Sequence, residues 1–447
     1  MLISNCPAQH TSEMELGDIM KQELMERMEK YYIRGRYKSY WNIVADRGQG
    51  PYLFDSEGRK YLDYVMGGGP LILGHCHPSV TKAVNEQIGQ GSQFYIANRL
   101  GIELAEELCK ASRCSDKALF TVSGTEAVML ALRIVRAFTG KDKILRFEGS
   151  FNGFSDEMMR SSSLANQSKL KDYPQSTCDS EGIPKATETT ILVAPYNNIE
   201  ITKRIIDENE EDLAGVIAEP IQRLLVPNPN FLRDLRNVTA RKNIPLIFDE
   251  VVTGFRVAYG GAQELYGVVP DLATYGKILG GGFPMGAVGG KDEIMVVNTE
   301  KSGYKVASIG TFSGHPVGCA AGLATLTELR KKGTYESLRR YGERLRDGLK
   351  RVFDENGVAA QVLGVGSMSG YAFTENSVTD FRSWISGDKA FDEILNAELI
   401  RNNLLIDVPK VYSSTAHGEK ELEKTVDIYN RSVKAAVEER QKFKRTG

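Results

Sequence analysis

From about residue 100 the chain alternates between two textures. Short apolar runs, read as strands, fall at 118–122, 143–147, 190–194, 214–218, 245–248, 272–275 and 287–288. Between them, apolar residues recur at helical spacing over 102–112, 124–139 and 230–242, and Gly140 closes the second of these stretches. Most of the runs are apolar on both faces, as expected of a mostly parallel sheet covered by helices. The pattern predicts an α/β fold.

The two ends of the chain read differently. Ile19, Leu24 and Met28 share one face of a predicted N-terminal helix over 13–31. The string GPYLFDSEGRKYLDYV reads as a strand, a turn at 55–58 and a second strand. After Pro316, charged helices over 316–331, 334–356, 389–402 and 418–440 surround short strands near 360–374. We therefore expect a large α/β domain over 67–316. A smaller α+β domain is expected from 1–66 and 317–447, with the N-terminal helix attached, since chain ends often lie close together. No internal repeat is visible.

Composition narrows the function classes. Among 447 residues, 41% are hydrophobic and 26% charged, and the net charge is -2. That gives no global basic field to hold nucleic acid or an anionic membrane. No apolar run reaches 18 residues, so no membrane span is expected. The first residues lack the basic start and apolar stretch of a secretory signal, and the six cysteines are scattered without a C-x-x-C pair. These features predict a cytoplasmic protein with reduced thiols. His75 and His77 form no metal signature, and no metal is expected. Glycine is abundant, at 44 residues, with runs at Gly67–Gly69, Gly280–Gly282 and Gly289–Gly290 that suggest tight turns and close backbone approaches.

Five segments carry candidate chemistry. In VSGTEAVMLALRIVRAFTG, Ser123, Gly124 and Thr125 follow a strand and open a helix, a place suited to a phosphate and equally to a plain helix cap. In PLIFDEVVTGF, Asp249 ends an apolar strand at the edge where open α/β sheets place functional groups, although a loop carboxylate would also fit. In DLATYGKILGGGFPMGAVGG, Lys277 stands two residues past a strand. A lysine confined there loses its proton more easily and can act as a nucleophile, whereas most lysines are solvated surface charges. Phe151, in RFEGSFNGFSD, either stacks on a flat ligand or packs in the core. The fifth segment is GTFSGHPVG, with Thr311 in a glycine-rich loop.

Together these supply a phosphate cradle, an aromatic face, a buried carboxylate and a lysine, the parts that pyridoxal phosphate chemistry requires. A carboxylate about 3 Å from a protonated ring nitrogen, at an effective dielectric of about 20, is worth roughly 5 kcal/mol, enough to hold the proton at neutral pH.

On the strings SGTEA, FDEVVTGFR, GVVPDLATYGK and GGGFPMGAVGG, the sequence resembles the class III (subgroup II) aminotransferases of fold type I. Within them it looks closest to the glutamate-1-semialdehyde 2,1-aminomutase-like members. The similarity runs from about residue 50 to 330 and continues weakly beyond. It implies pyridoxal 5'-phosphate as cofactor, with Lys277 as the Schiff-base lysine and Asp249 on the pyridine nitrogen. Val251 and Phe151 would pack on the two ring faces, Ser123, Gly124 and Thr125 would hold the phosphate, and Asn152 and Glu219 would stand among the cofactor contacts. Thr311 would reach the cofactor phosphate of a neighbouring subunit, so a homodimer with shared active sites is implied.

The departures bear on substrate. Phe151-Asn152 replace the Tyr-His common in aminomutases, and the loop at Gly67–Pro70 lacks their tryptophan. Val122 and Val252 also differ from common family residues. No arginine lies between Arg36 and Arg47, where a carboxylate-binding one is expected, and Lys410 is the only cation near the usual C-terminal position. A lysine replaces an arginine–carboxylate fork poorly. The expectation is therefore an aminotransferase acting on an oxo-sugar, an aminocyclitol ketone or an acyl aldehyde. The alternative is an isomerase, either an aminomutase or an epimerase. A non-catalytic regulator is disfavoured by the intact Lys277, Asp249 and Ser123–Thr125 set and by the lack of a preceding DNA-binding module.

Overall fold

The computed structural model describes residues 13–33, 42–162 and 175–446. Its central feature is a seven-stranded sheet. The strands are β4 (Lys117–Thr121), β5 (Lys143–Phe147), β6 (Ile191–Ala194), β7 (Leu213–Ala218), β8 (Leu246–Asp249), β9 (Leu272–Tyr275) and β10 (Gly286–Gly290), in the spatial order β4-β10-β9-β8-β7-β5-β6. β5, β6, β7, β8 and β9 pair in parallel, and β10 runs antiparallel to both β4 and β9. The mostly parallel sheet read from the apolar runs is thus present. β7, β8, β9 and β10 are buried along their whole length, which is why they show no polar alternation.

Two smaller sheets accompany it. β1 (Ala45–Gln49), β2 (Tyr52–Asp55) and β3 (Lys60–Asp63) form an antiparallel meander, and β3 continues in parallel onto β13 (Leu404–Leu405). β11 (Gln361–Leu363), β12 (Met368–Ala372) and β14 (Val411–Tyr412) make an antiparallel sheet. Leu62 and Tyr64 share a buried cluster whose other members all come from residues 341–436.

Helix limits differ from the sequence reading where caps decide them. The helix expected from 102 begins at Arg99, because Asn98 accepts a hydrogen bond from the Gly101 N–H at 2.9 Å and so sets the start. The helix Gly124–Thr139 ends as expected at Gly140, which is left-handed at φ 70°. The last helix, Glu419–Thr446, outruns the expected end at 440. Helices at Pro78–Gln90 and Ile199–Glu208 were not predicted. Among the described residues, no helix is long and apolar enough to cross a membrane.

Candidate active site

The carboxyl ends of the parallel strands converge on one cavity of about 210 Å³. Ser123 follows β4 and caps the helix Gly124–Thr139. Its Oγ accepts from the Glu126 N–H at 3.2 Å, and Glu126 reaches back to accept from the Val122 N–H at 2.7 Å. The first N–H groups of a helix have no partner within it, so those of Gly124 and Thr125 stay open to an anion, with the helix dipole behind them. A Cβ on Gly124 would come within 2.8 Å of Val251 Cγ1, so any larger residue would have to displace Val251. Thr125 Oγ1 accepts from the Phe154 N–H at 3.3 Å, joining this turn to the loop after β5.

Asp249 ends β8 and is 4% exposed. Its Oδ2 accepts from Asn152 Nδ2 at 2.7 Å, and its Oδ1 accepts from the Val251 N–H and from Thr274 Oγ1, each at 3.1 Å. Burial pushes this carboxyl up. The three donors and the charge of Lys277 oppose that shift without cancelling it.

Lys277 stands two residues past β9 at φ 46°, opening a tight turn over Lys277–Gly280. Burial lowers its pKa. Lys410 and Arg256 act in the same direction, while Asp407 and Asp249 act against it. The neutral, nucleophilic amine therefore becomes accessible closer to neutral pH.

The loop after β5 presents Phe151 and Asn152, and side chains hold it at successive positions. Gln222 donates to the Glu148 carbonyl at 2.6 Å, Arg223 Nε donates to the Gly149 carbonyl at 2.8 Å, and Arg146 donates to the Ser150 carbonyl. Glu219 accepts from the Phe151 N–H at 2.5 Å. Burial and the nearby Asp249 charge push Glu219 up, while Arg223, this N–H bond and Lys410 pull it down, with the rise prevailing. The Phe151 ring is exposed and packs edge-on against Phe154, with centroids 5.2 Å apart.

The cavity thus brings together Ser123, Gly124, Thr125, Phe151, Asn152, Glu219, Asp249, Val251 and Lys277. Thr311 does not line it. That residue lies exposed on a segment where Gln93 donates to its carbonyl oxygen. Besides Lys410, Arg256, from the FDEVVTGFR string, also acts on Lys277. Arg36 and residues 34–41, where a carboxylate-binding arginine was sought, lie outside the described residues.

Sequence reasoning missed Thr274, Arg146, Gln222, Arg223, Arg256 and Tyr412. Only Thr274 carried a signal, as a polar residue inside the apolar strand two positions before Gly276. Among the described residues, no group of three or more His, Cys, Asp or Glu could hold a metal ion.

The geometry suits pyridoxal phosphate. The open helix N-terminus fits a phosphate, the deep carboxylate fits a ring nitrogen, and Val251 packed on Gly124 provides a flat wall. Asn152 Oδ1, buried without a partner, leaves one acceptor facing this region.

A model of the class-III aminotransferase family matches residues 33–403. A relative named glutamate-1-semialdehyde 2,1-aminomutase, from Natranaerobius thermophilus, is 38% identical over 400 residues, which cover 88% of this chain and 90% of that one. An omega-transaminase from Sphaerobacter thermophilus has a similar structure, with TM-score 0.88 and 34% identity, covering 93% of this chain and 97% of that one. A β-phenylalanine aminotransferase from Variovorax paradoxus matches at TM-score 0.81 and 27% identity, covering 93% of this chain and 94% of that one.

Proposed function

This chain belongs to the class-III aminotransferase family, enzymes of fold type I with pyridoxal 5'-phosphate as cofactor, and from that premise we propose that it moves an amino group from a donor amine to a carbonyl acceptor. The observation that carries this reading is the meeting of Lys277, Asp249 and the helix start at Ser123–Thr125 in one cavity.

When bound, the cofactor supplies an electron sink that acidifies the C–H bond beside the substrate nitrogen. Lys277 is the residue that would hold the cofactor through its amine, and the same nitrogen would take up the proton released from that carbon. Asp249, held by Asn152, Thr274 and the Val251 N–H, would keep a proton on the ring nitrogen. Gly124 and Thr125 would hold the phosphate through backbone N–H groups, with the hydroxyls of Ser123 and Thr125 beside it, and Phe151 and Val251 would lie on either side of the ring. Glu219 holds the Phe151 backbone in place. The donor hands over its amino group in one half-reaction and the acceptor collects it in a second.

No arginine is among the described residues that line the cavity. This supports a neutral carbonyl substrate such as an oxo-sugar, an aminocyclitol ketone or an acyl aldehyde. We also propose a homodimer in which Thr311 reaches the neighbouring subunit's cofactor phosphate. The exposed Tyr95, Ile96, Ile309 and Phe312 near it support a covering second copy.

The second reading is an aminomutase or epimerase, favoured by the 38% identity to a relative named as an aminomutase. A spectrophotometric screen of amines, aminosugars and amino acids decides between them. An aminotransferase discharges its cofactor with the donor and needs a carbonyl partner to turn over again. Isomerised product from a single amino compound, without any keto acid, overturns the transfer reading.

A further inference from the structure

Arg256 is 1% exposed, and among the described residues it has no carboxylate within ion-pair distance. Its Nη2 donates to the carbonyl of Gly69, and its Nη1 reaches Ser367 Oγ at only 3.4 Å. Its Nε is buried without a partner. The guanidinium carbon lies 5.0 Å from the centroid of the Tyr412 ring. A buried guanidinium left this far from compensation is costly, so the fold retains it against a penalty.

What it grips is informative. Gly69 has φ 104°, and a Cβ there would stand 3.5 Å from Tyr412 Cζ and 3.6 Å from Lys277 Cδ. The Gly69 backbone, the Tyr412 ring and the lysine stem therefore meet at one point. Tyr412 is itself anchored, its N–H donating to the Tyr64 carbonyl at 3.0 Å.

We propose that Arg256 is a positioning residue for Lys277: by fixing the Gly69 carbonyl and the Tyr412 ring, it builds the wall against which the lysine stem lies. The proposal rests on the reading of Lys277 as the lysine that carries the cofactor. The charge of Arg256 acts on the amine in the same sense as that of Lys410, while Asp407 and Asp249 oppose it. Removing the guanidinium therefore acts on both the place and the proton affinity of the amine.

The test uses the full-length, cofactor-loaded protein as wild type, Arg256→Lys and Arg256→Met. The visible absorbance band is titrated with pH beside kcat and KM. Arg256→Met is expected to move the midpoint up by about one pH unit and to lower kcat about tenfold with little change in KM, while Arg256→Lys recovers the midpoint. A purely structural role would reduce the yield of folded, loaded protein without moving the midpoint of the remainder.

If Arg256→Met does not fold, Tyr412→Leu is compared with Tyr412→Phe, since only the ring supports the guanidinium face. The leucine variant is expected to lose kcat relative to the phenylalanine variant. A midpoint and kcat for Arg256→Met matching wild type, or equal rates for the two Tyr412 variants, overturns the positioning role. Failure of the underlying reading looks different: wild type then gives no visible band and no borohydride adduct at Lys277, and both fall together.

Discussion

Asn152 donates its side-chain amide to Asp249 at 2.7 Å, so the residue next to Phe151 in the loop after β5 also holds the carboxylate of the cavity. A hydrogen bond to a charged acceptor is worth about 1.5–3 kcal/mol. Asn152→Ala should therefore lower kcat by roughly 10- to 100-fold, and Asp249→Asn, which removes the charge itself, should cost at least as much. Steady-state kinetics check this. An Asn152→Ala rate within twofold of wild type means the bond does not support catalysis.

Lys277→Ala removes the one amine among the described residues that line the cavity. We expect loss of multiple turnover and of the visible band in the cofactor-soaked protein. Borohydride reduction followed by peptide mapping should find the cofactor on Lys277 in wild type and on no lysine in the variant. Sustained turnover by the variant contradicts the assignment.

Gly153 sits at φ 93°, where a Cβ would lie 2.8 Å from Thr125 Oγ1 and 2.9 Å from Thr125 Cα. Because the Cα is backbone, the clash cannot be relieved by a rotamer change. Gly153→Ala should push the loop away from the turn proposed to hold the phosphate, costing about 1–3 kcal/mol of stability and weakening cofactor retention. Thermal melting and cofactor release on dialysis measure the two effects, and an unchanged dissociation constant would separate the loop from the phosphate site.

His417 does not line the cavity, yet it makes stability depend on pH in the acid range. It stacks on Tyr64 with centroids 4.2 Å apart, its Nδ1 pairs with Ser414, and its Nε2 with the Asp63 carbonyl at 3.1 Å. Burial lowers its pKa from 6.5 to about 4. The unfolded chain therefore binds more protons between those values, and stability falls as pH drops through that window. The shift corresponds to about 3 kcal/mol. His417→Phe keeps a ring on Tyr64 and should be less stable at pH 7.5, yet lose less on going from pH 6.5 to 4.5. Parallel pH slopes of melting temperature in the two proteins would remove His417 as the cause.

The central sheet was legible because β7, β8, β9 and β10 are buried along their whole length and read as apolar runs, and because Asp249 and Lys277 break those runs at their ends. The ordered site motifs were legible for the same reason. The side chains that hold the site were not. Arg223 and Arg256 are ordinary charged letters in the sequence, and only folding shows that each grips a carbonyl from a segment far away in the chain. Helix 78–90 went unseen because its start carries no side-chain cap, only Pro78 in the first turn.

The parallel pairing of β3 with β13 sets a timetable for biogenesis. Leu62 meets Leu404 only after roughly 340 further residues have left the ribosome, on the order of tens of seconds at about 5–20 residues per second. Tyr412, which abuts Lys277 across Gly69, emerges later still. A chain ending near residue 400 would carry Lys277 without Tyr412 beside it.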